Sequence, residues 1–337
     1  MNTIVCEEVG RFAWTQMPKP SPTPGEAIIR VRRIGICGTD LHAYRGNQPY
    51  FTYPRILGHE LSGTIHWIGD HDAGFTIGDE VSIIPYLHCG SCIACRNNKT
   101  NCCTSMRVLG VHVDGGMTEF ISVPVTHLVR TNGISLDDAA LIEPLSVGAH
   151  AVRRAGHMQG ESVLVIGGGP IGLGVMAIAK LQGAKVIAMD IDEDRLEFCR
   201  TWAGVDATVN ARENPAASIA ELTGGDYPTV VFDATGNASS MSNAIQYVAH
   251  GGRLVYVGLV KGEITLNDPE LHKRELTILC SRNAVKDDFE YVLNLIRDGH
   301  LHVDEYVTSR ASFEHLIDQF EVWLKPSSKV IKALVEV

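Results

Sequence analysis

The first third of the chain alternates apolar and polar residues with a period of two. In the segment 28–32, Ile29 and Val31 alternate with Arg30 and Arg32, which predicts a strand with one buried face. Residues 1–36 read as strands throughout, and the four prolines of 18–25 place a loop between two of them. The stretch 35–60 contains Gly35, Gly38, Gly46 and Gly58 with two prolines, so it predicts a loop and not one long helix. Strand patterns return at 62–68 and 81–86, with Gly78 and Asp79 as the turn between them. The segment 108–123 reads as strand, glycine turn, strand. A helical pattern opens at 136–141, and Glu143 followed by Pro144 predicts its interruption.

After about residue 147 the pattern changes. Ser162–Ile166 is a continuous apolar run, as expected of a strand covered on both faces. It leads into Gly167, Gly168, Gly169, Pro170, Ile171 and Gly172, which fits G-x-G-x-x-G. A helical pattern then runs to Gln182 and Gly183, and a strand at 186–189 ends at Asp190. Strand, glycine turn, helix, strand and acid within so short a span predict a dinucleotide site. The turn lets the backbone approach a pyrophosphate, the helix N-terminus faces its charge, and the acid takes ribose hydroxyls. Asp190 opposes an added 2′-phosphate, so NAD is expected in preference to NADP. Arg195 follows five residues later. Further strands at 229–233 and 253–257 lead into Thr235, Gly236 and Gly258, placed where dinucleotides lie in such sheets. Thr277–Cys280 reads as the last of these strands, with Arg282 just beyond it. An amphipathic helix starts near Asp287 and stops at Gly299, and 329–337 closes as a strand.

Composition narrows the classes. The chain has 337 residues, 45% of them apolar, which suits two domains with real cores. Lys plus Arg number 29 against 39 Asp plus Glu, a formal charge of −10, which argues against nucleic acid as a partner. No targeting segment opens the sequence. The uncharged run 162–179 carries five glycines and a proline, so it does not read as a membrane span. A cytoplasmic protein with metal-bound and free thiols is expected from the nine cysteines, four of them clustered.

Two stretches carry metal chemistry. Cys37, His59 and Glu60 offer sulfur, nitrogen and oxygen donors, all of which zinc accepts. Because neighbours in a strand face opposite ways, only one of His59 and Glu60 is expected to bind at a time. Cys89, Cys92 and Cys95 are spaced by two residues each, with Cys102 and Cys103 following. Such spacing wraps one tetrahedral zinc, and four thiolates leave no open position, so the site is structural. Spacing alone does not choose between Cys102 and Cys103. Glu143, flanked by Leu141, Ile142 and Leu145, is expected to be buried and to need a partner, for which a cation or metal is the obvious candidate.

Together GICGTDLH, GHE, CGSCIAC with Cys103, IEPLSVGAHA, VLVIGGGPIGL and DATGN resemble the zinc-dependent medium-chain dehydrogenases over essentially the whole length. The resemblance implies an α/β architecture. A GroES-like β-barrel catalytic domain spans 1–147 with both zinc sites, a Rossmann domain with a doubly wound parallel sheet spans 148–285, and 286–337 returns to the catalytic domain. EPLSVGAHA is similar to the sorbitol dehydrogenase branch, which implies Cys37, His59, Glu60 and Glu143 around a catalytic zinc. Whether Glu60, Glu143 or water completes the sphere stays open. The family's spacing selects Cys103 for the structural zinc, making two zinc ions per chain, and implies a homodimer or homotetramer. HAYRGNQPYF, GVHVDGGM, GLVKGE and SRNA are similar to bacterial sugar-acid dehydrogenases that oxidise L-galactonate or L-gulonate at carbon five.

The expected chemistry is removal of a hydride from a substrate carbon to NAD while zinc acidifies the hydroxyl. Thr39 is the candidate proton acceptor, with His42 and Glu143 as further carriers. Asp40 is expected to brace the histidine or the loop. Arg45, Lys261 and Arg282 are candidate clamps for a substrate carboxylate, and Arg282 is also a candidate cofactor contact. A polyol or L-threonine dehydrogenase on the same scaffold is the alternative within the class. A catalytically silent nucleotide-binding structural protein is the alternative outside it.

Overall fold

The computed structural model describes residues 1–48, 50–70 and 73–337, so Pro49 of the predicted loop lies outside the described residues. The chain divides into two compact units, Met1–Pro144 with Ala284–Val337, and Leu145–Asn283. These junctions fall two or three residues before the expected ones.

The first unit holds β1 (Asn2–Glu8), β2 (Arg11–Gln16), β3 (Glu26–Ile36), β4 (Glu60–Ile68), β5 (Glu80–Ile83), β6 (Tyr86–Leu87), β7 (Arg107–Val108), β8 (Phe120–Pro124) and β9 (Leu128–Arg130). The second holds β10 (Ser162–Ile166), β11 (Lys185–Asp190), β12 (Ala207–Asn210), β13 (Val230–Asp233), β14 (Arg253–Tyr256) and β15 (Thr277–Cys280). The chain then returns to the first unit with β16 (Val307–Ser312) and β17 (Lys332–Glu336).

In the first unit seven strands form one sheet in the order β16-β17-β3-β4-β5-β9, with β8 also paired to β3. All pairs are antiparallel except β16 with β17. Long β3 is the organising strand. Its inward residues Ala27, Ile29, Val31 and Ile34 are all but fully buried and join Leu57, Leu61, Ile65, Val81, Ile83 and Phe320 in the core. The β17 register sets Ala333 opposite Ile36 and Leu334 opposite Gly35. The β4 register sets Glu60 opposite Gly35 from the other side. Gly35 is thus flanked by residues from near both ends of the sequence.

The second unit is a six-stranded parallel sheet in the order β12-β11-β10-β13-β14-β15. Strands β10, β13 and β14 are buried along most of their lengths, as their unbroken apolar runs predict. Chain order reverses beside β10, between β11 and β13, which is where ligands lie in open parallel sheets.

Three local expectations need correction. The stretch after Cys37 is not all loop, because Gly38–Tyr44 forms a short helix. Asp40 stabilises its start by accepting from the Cys37 N–H at 2.9 Å. Glu143 and Pro144 do not interrupt the helix that begins at Leu136, which runs unbroken from Leu136 to Ala155 with Pro144 inside it. An internal proline costs about 3 kcal/mol. Burial of Ala139, Ala140, Leu141, Ile142 and Leu145 on this helix offsets that cost. Finally, 108–123 is strand only at its ends, in β7 and β8. Its middle is a tight loop, with Gly115 and Gly116 donating to the carbonyls of Ile56 and Gly58.

Candidate functional site

Cys37, His59 and Glu60 meet at a mixed donor cluster. Cys37 caps the N-terminus of Gly38–Tyr44, His59 precedes β4, and Glu60 begins it. One ligand atom from each lies within 4.8 Å of the others. The alternation of faces expected of a strand therefore does not separate His59 from Glu60, since His59 lies just outside β4. The set fits zinc in its chemistry, with one sulfur, one imidazole and one carboxylate.

Asp40, fully buried, sits behind this cluster. Its Oδ1 lies 3.7 Å from His59 Nδ1 and accepts from the Gly58 N–H at 3.2 Å, while its Oδ2 holds the Cys37 N–H. One carboxylate therefore fixes the backbone before both donors and faces the imidazole, the arrangement that orients metal-bound histidines. Burial alone would lower the His59 pKa, but the charges of Asp40, Cys37 and Glu143 outweigh it and hold it well above 6.5.

The two glutamates are each engaged from outside the metal motifs. Glu60, wholly buried, accepts two bonds from Lys332 Nζ, at 2.7 and 2.8 Å. Lys332 is itself 1% exposed and also donates to the Ile36 carbonyl at 3.2 Å. Glu143, also buried, accepts from the Tyr86 hydroxyl. It lies outside the set of donors within 4.8 Å of one another. Burial, reinforced by the charge of Glu60, pushes the Glu143 carboxyl up to about 7. The Tyr86 hydroxyl is held well above 10, first by burial and then by the charge of Glu143. Sequence reasoning missed Tyr86 and Lys332. Tyr86 has one signal, its place at the end of a strand pattern three residues before Cys89. Lys332 has none, since a lysine in an otherwise alternating segment reads as solvent-facing.

The second cluster is Cys89, Cys92, Cys95 and Cys103, with sulfurs within 4.8 Å of one another. Cys102 is exposed and lies outside the cluster. Backbone N–H groups point at the sulfurs: Cys89 N–H and Ser105 N–H to Cys103 Sγ at 3.3 and 3.4 Å, and Cys92 N–H to Cys89 Sγ at 3.4 Å. Such bonds favour thiolate: the Cys92 thiol is drawn down to about 5, first by the backbone of Cys95, while burial pushes the Cys95 thiol up to about 12. Four thiolates with aimed N–H groups fit a closed tetrahedral zinc.

In the second unit the turn 167–172 follows β10. Gly169 caps the helix Pro170–Leu181, with Pro170 in its first turn. A Cβ on Gly172 would lie 1.8 Å from the Gly167 carbonyl oxygen, so only glycine permits this turn. Asp190, ending β11, accepts from the Gly168 N–H at 2.6 Å and from the Asp192 N–H at 3.0 Å. The Arg195 side chain lies alongside Gly168 and Gly169. Thr235 donates to buried Asp233 through both its N–H and its hydroxyl, and Ser240 takes the other oxygen of that carboxylate. Gly258 and Gly236 touch at their backbones. Gly167, Thr235, Gly236 and Gly258 thus cluster at the carboxyl ends of β10, β13 and β14.

The remaining candidates are placed by their own units. Thr39 is half-buried and His42 exposed on Gly38–Tyr44. Arg45 is exposed, and its guanidinium donates to the Leu324 carbonyl. Lys261 and Arg282 are exposed residues of the second unit, and Ile171 is half-buried there.

A barrel-type unit with a mixed zinc-type donor cluster, joined in one chain to a nucleotide-type parallel sheet, defines a class of oxidoreductase. Residues 23–133 match the alcohol dehydrogenase GroES-like domain, and residues 170–298 match the zinc-binding dehydrogenase domain. The chain belongs to the zinc-containing medium-chain alcohol dehydrogenases, NAD(P)-dependent enzymes acting on alcohols and sugars. It is 43% identical to the L-galactonate-5-dehydrogenase of Escherichia coli (strain K12) over 99% of this chain and 98% of that protein. It is 31% identical to the 2-dehydro-3-deoxy-L-galactonate 5-dehydrogenase of Pseudoalteromonas atlantica over 94% of this chain and 93% of that one. Among solved structures it is similar to the alcohol dehydrogenase rspB from E. coli CFT073 in complex with NADH. That match has a TM-score of 0.94 and 29% identity, covering 100% of this chain and 99% of the other. Among the described residues no helix is long and apolar enough to cross a membrane.

Proposed function

We propose that this enzyme oxidises a secondary hydroxyl of a sugar acid, of the L-galactonate or L-gulonate type at carbon five, with NAD as acceptor. The observation that carries the reading is the full-length 43% identity to an L-galactonate-5-dehydrogenase, held together with a donor cluster suited to zinc. When bound, zinc supplies Lewis acidity at the substrate hydroxyl and the nicotinamide supplies a hydride acceptor.

The chain's own residues do the rest. Cys37 and His59 would hold the ion, with Glu60, Glu143 or water completing its sphere, and Asp40 would keep the imidazole oriented. Thr39, two residues after Cys37, accepts the hydroxyl proton and passes it outward, with His42 next on the same helix. Glu143, held near neutrality, takes or gives a proton at its own carboxyl oxygen. Gly167, Gly169, Pro170, Ile171 and Gly172 receive the pyrophosphate at the helix start, and Asp190 takes the ribose hydroxyls, which selects NAD over NADP. Arg195, Thr235, Gly236 and Gly258 line the same nucleotide. Arg45, Lys261 and Arg282 are the candidates for the substrate carboxylate, with Arg45 also donating to the Leu324 carbonyl. The closed cysteine cluster holds a second, structural zinc. Resemblance to the family supports a homodimer or homotetramer, and the use of free and clustered thiols supports a cytoplasmic one; light scattering tests the subunit count.

The deciding experiment is a panel of L-galactonate, L-gulonate, sorbitol, xylitol and L-threonine, each with NAD and with NADP. The highest kcat/KM is expected for a sugar acid with NAD. A preference for sorbitol or xylitol would replace the sugar-acid reading with the polyol one. No turnover with any of them, joined to a metal count below one per chain, would favour a silent nucleotide-binding protein.

A further inference from the structure

Lys332 is a buried cation placed where only anions are expected to gather. Its ammonium is 1% exposed and shares both oxygens of Glu60, a member of the Cys37–His59–Glu60 cluster. Cys37 and Glu143 also act on it electrostatically. The packing around the pair is specific. Strands β17 and β4 flank β3, and Glu60 folds its carboxylate over Gly35, where a Cβ would lie 2.1 Å from Oε2. The Ile36 carbonyl takes a further bond from Lys332, which leaves the ammonium little freedom. A carboxylate bonded twice to an ammonium and still within reach of a sulfur and an imidazole donor has two possible partners for the same oxygens.

We propose that Lys332 is a positioning residue. It shares Glu60 with the ion and so keeps Glu60 from becoming a permanent ligand. This rests on the reading that the cluster holds zinc. The shared carboxylate presents less negative charge to the ion and leaves one coordination position for substrate. Without the lysine, Glu60 is an unpaired buried anion whose remaining cationic partner is the metal. The ion is then held tighter and leaves more slowly, and the open position closes.

Zinc release from the loaded protein to a chromogenic chelator tests this without any substrate. The release phase lost in Cys37→Ser belongs to this cluster. Lys332→Met is expected to slow that phase at least about tenfold, the scale on which groups around a metal's ligands alter its retention. Lys332→Arg, which keeps the charge, stays near wild type. In a Glu60→Gln background Lys332→Met produces no slowing. Gly35→Ala pushes the carboxylate off Lys332 while retaining every charge, at a glycine with an ordinary φ, and is expected to slow release as well. It carries the test if Lys332→Met does not fold. The proposal is overturned if no phase depends on Cys37, if the folded variants release zinc at the wild-type rate or faster, or if the slowing persists without Glu60. Because no substrate enters, a chain that ignores every sugar acid yet shows the Glu60-dependent slowing refutes the substrate reading and leaves this one standing.

Discussion

The two donor clusters of the first unit are built in opposite ways. Cys89, Cys92, Cys95 and Cys103 come from one short stretch, and much of what surrounds them is their own backbone. Cys37, His59 and Glu60 are spread more widely, and what steadies them comes from further still. Asp40 lies nearby, Tyr86 adjoins Glu143 from β6, and Lys332 is 272 residues from the Glu60 it pairs with. The local cluster wraps its sulfurs in amide donors and closes. The dispersed one keeps carboxylates, a lysine and a tyrosine hydroxyl around a partly filled set. The partners that steady the dispersed cluster are supplied by the fold.

Substitutions can separate the two clusters. The largest effect is expected from His59→Ala or Cys37→Ser, which abolishes turnover, while NADH binding measured by fluorescence persists. Retained activity in either variant would break the assignment of chemistry to the dispersed cluster. Next, Cys95→Ser lowers the zinc count by one and destabilises the lobe by several kcal/mol, since structural zinc contributes roughly 10 kcal/mol in comparable small sites. Thermal unfolding with and without a chelator checks it, and an unchanged melting temperature would mean that the closed cluster is no staple.

A smaller effect concerns buried His127, whose ring bonds the Tyr86 carbonyl at 3.2 Å. Burial, aided by the charge of His88, lowers its pKa to about 4 from 6.5. The unfolded chain therefore binds this proton first as pH falls. The stabilisation is complete above pH 6.5 and is lost as pH falls through about 4, for at most about 3 kcal/mol. Melting temperature should decline across that window, and His127→Gln should flatten the decline. The smallest effect is expected for Asp40→Asn, which removes the charge facing His59 and weakens zinc retention by about 10- to 100-fold. Chelator competition measures it, and an unaltered affinity would show that His59 needs no brace.

The same contrast explains what the sequence made legible. Ser162–Ile166 and Thr277–Cys280 are strands at the residues their apolar runs indicated. The cysteine spacing and the glycine turn were equally plain, because local repetition carries its own geometry. The helix through Pro144 was not legible. A proline marks a break locally, and only burial of its neighbours on both sides overrides it. The joint approach of His59 and Glu60 was hidden because the strand starts at the second of them. Lys332 was invisible for a different reason. Its meaning depends on β17 pairing with β3, a long-range contact that no local periodicity encodes.

That pairing also orders events in time. During synthesis, the four cysteines of the closed cluster emerge together and can capture metal early. Glu60 must wait for 272 further residues before its counterion exists. The full set of partners around Glu60 therefore exists only once β17 has paired with β3.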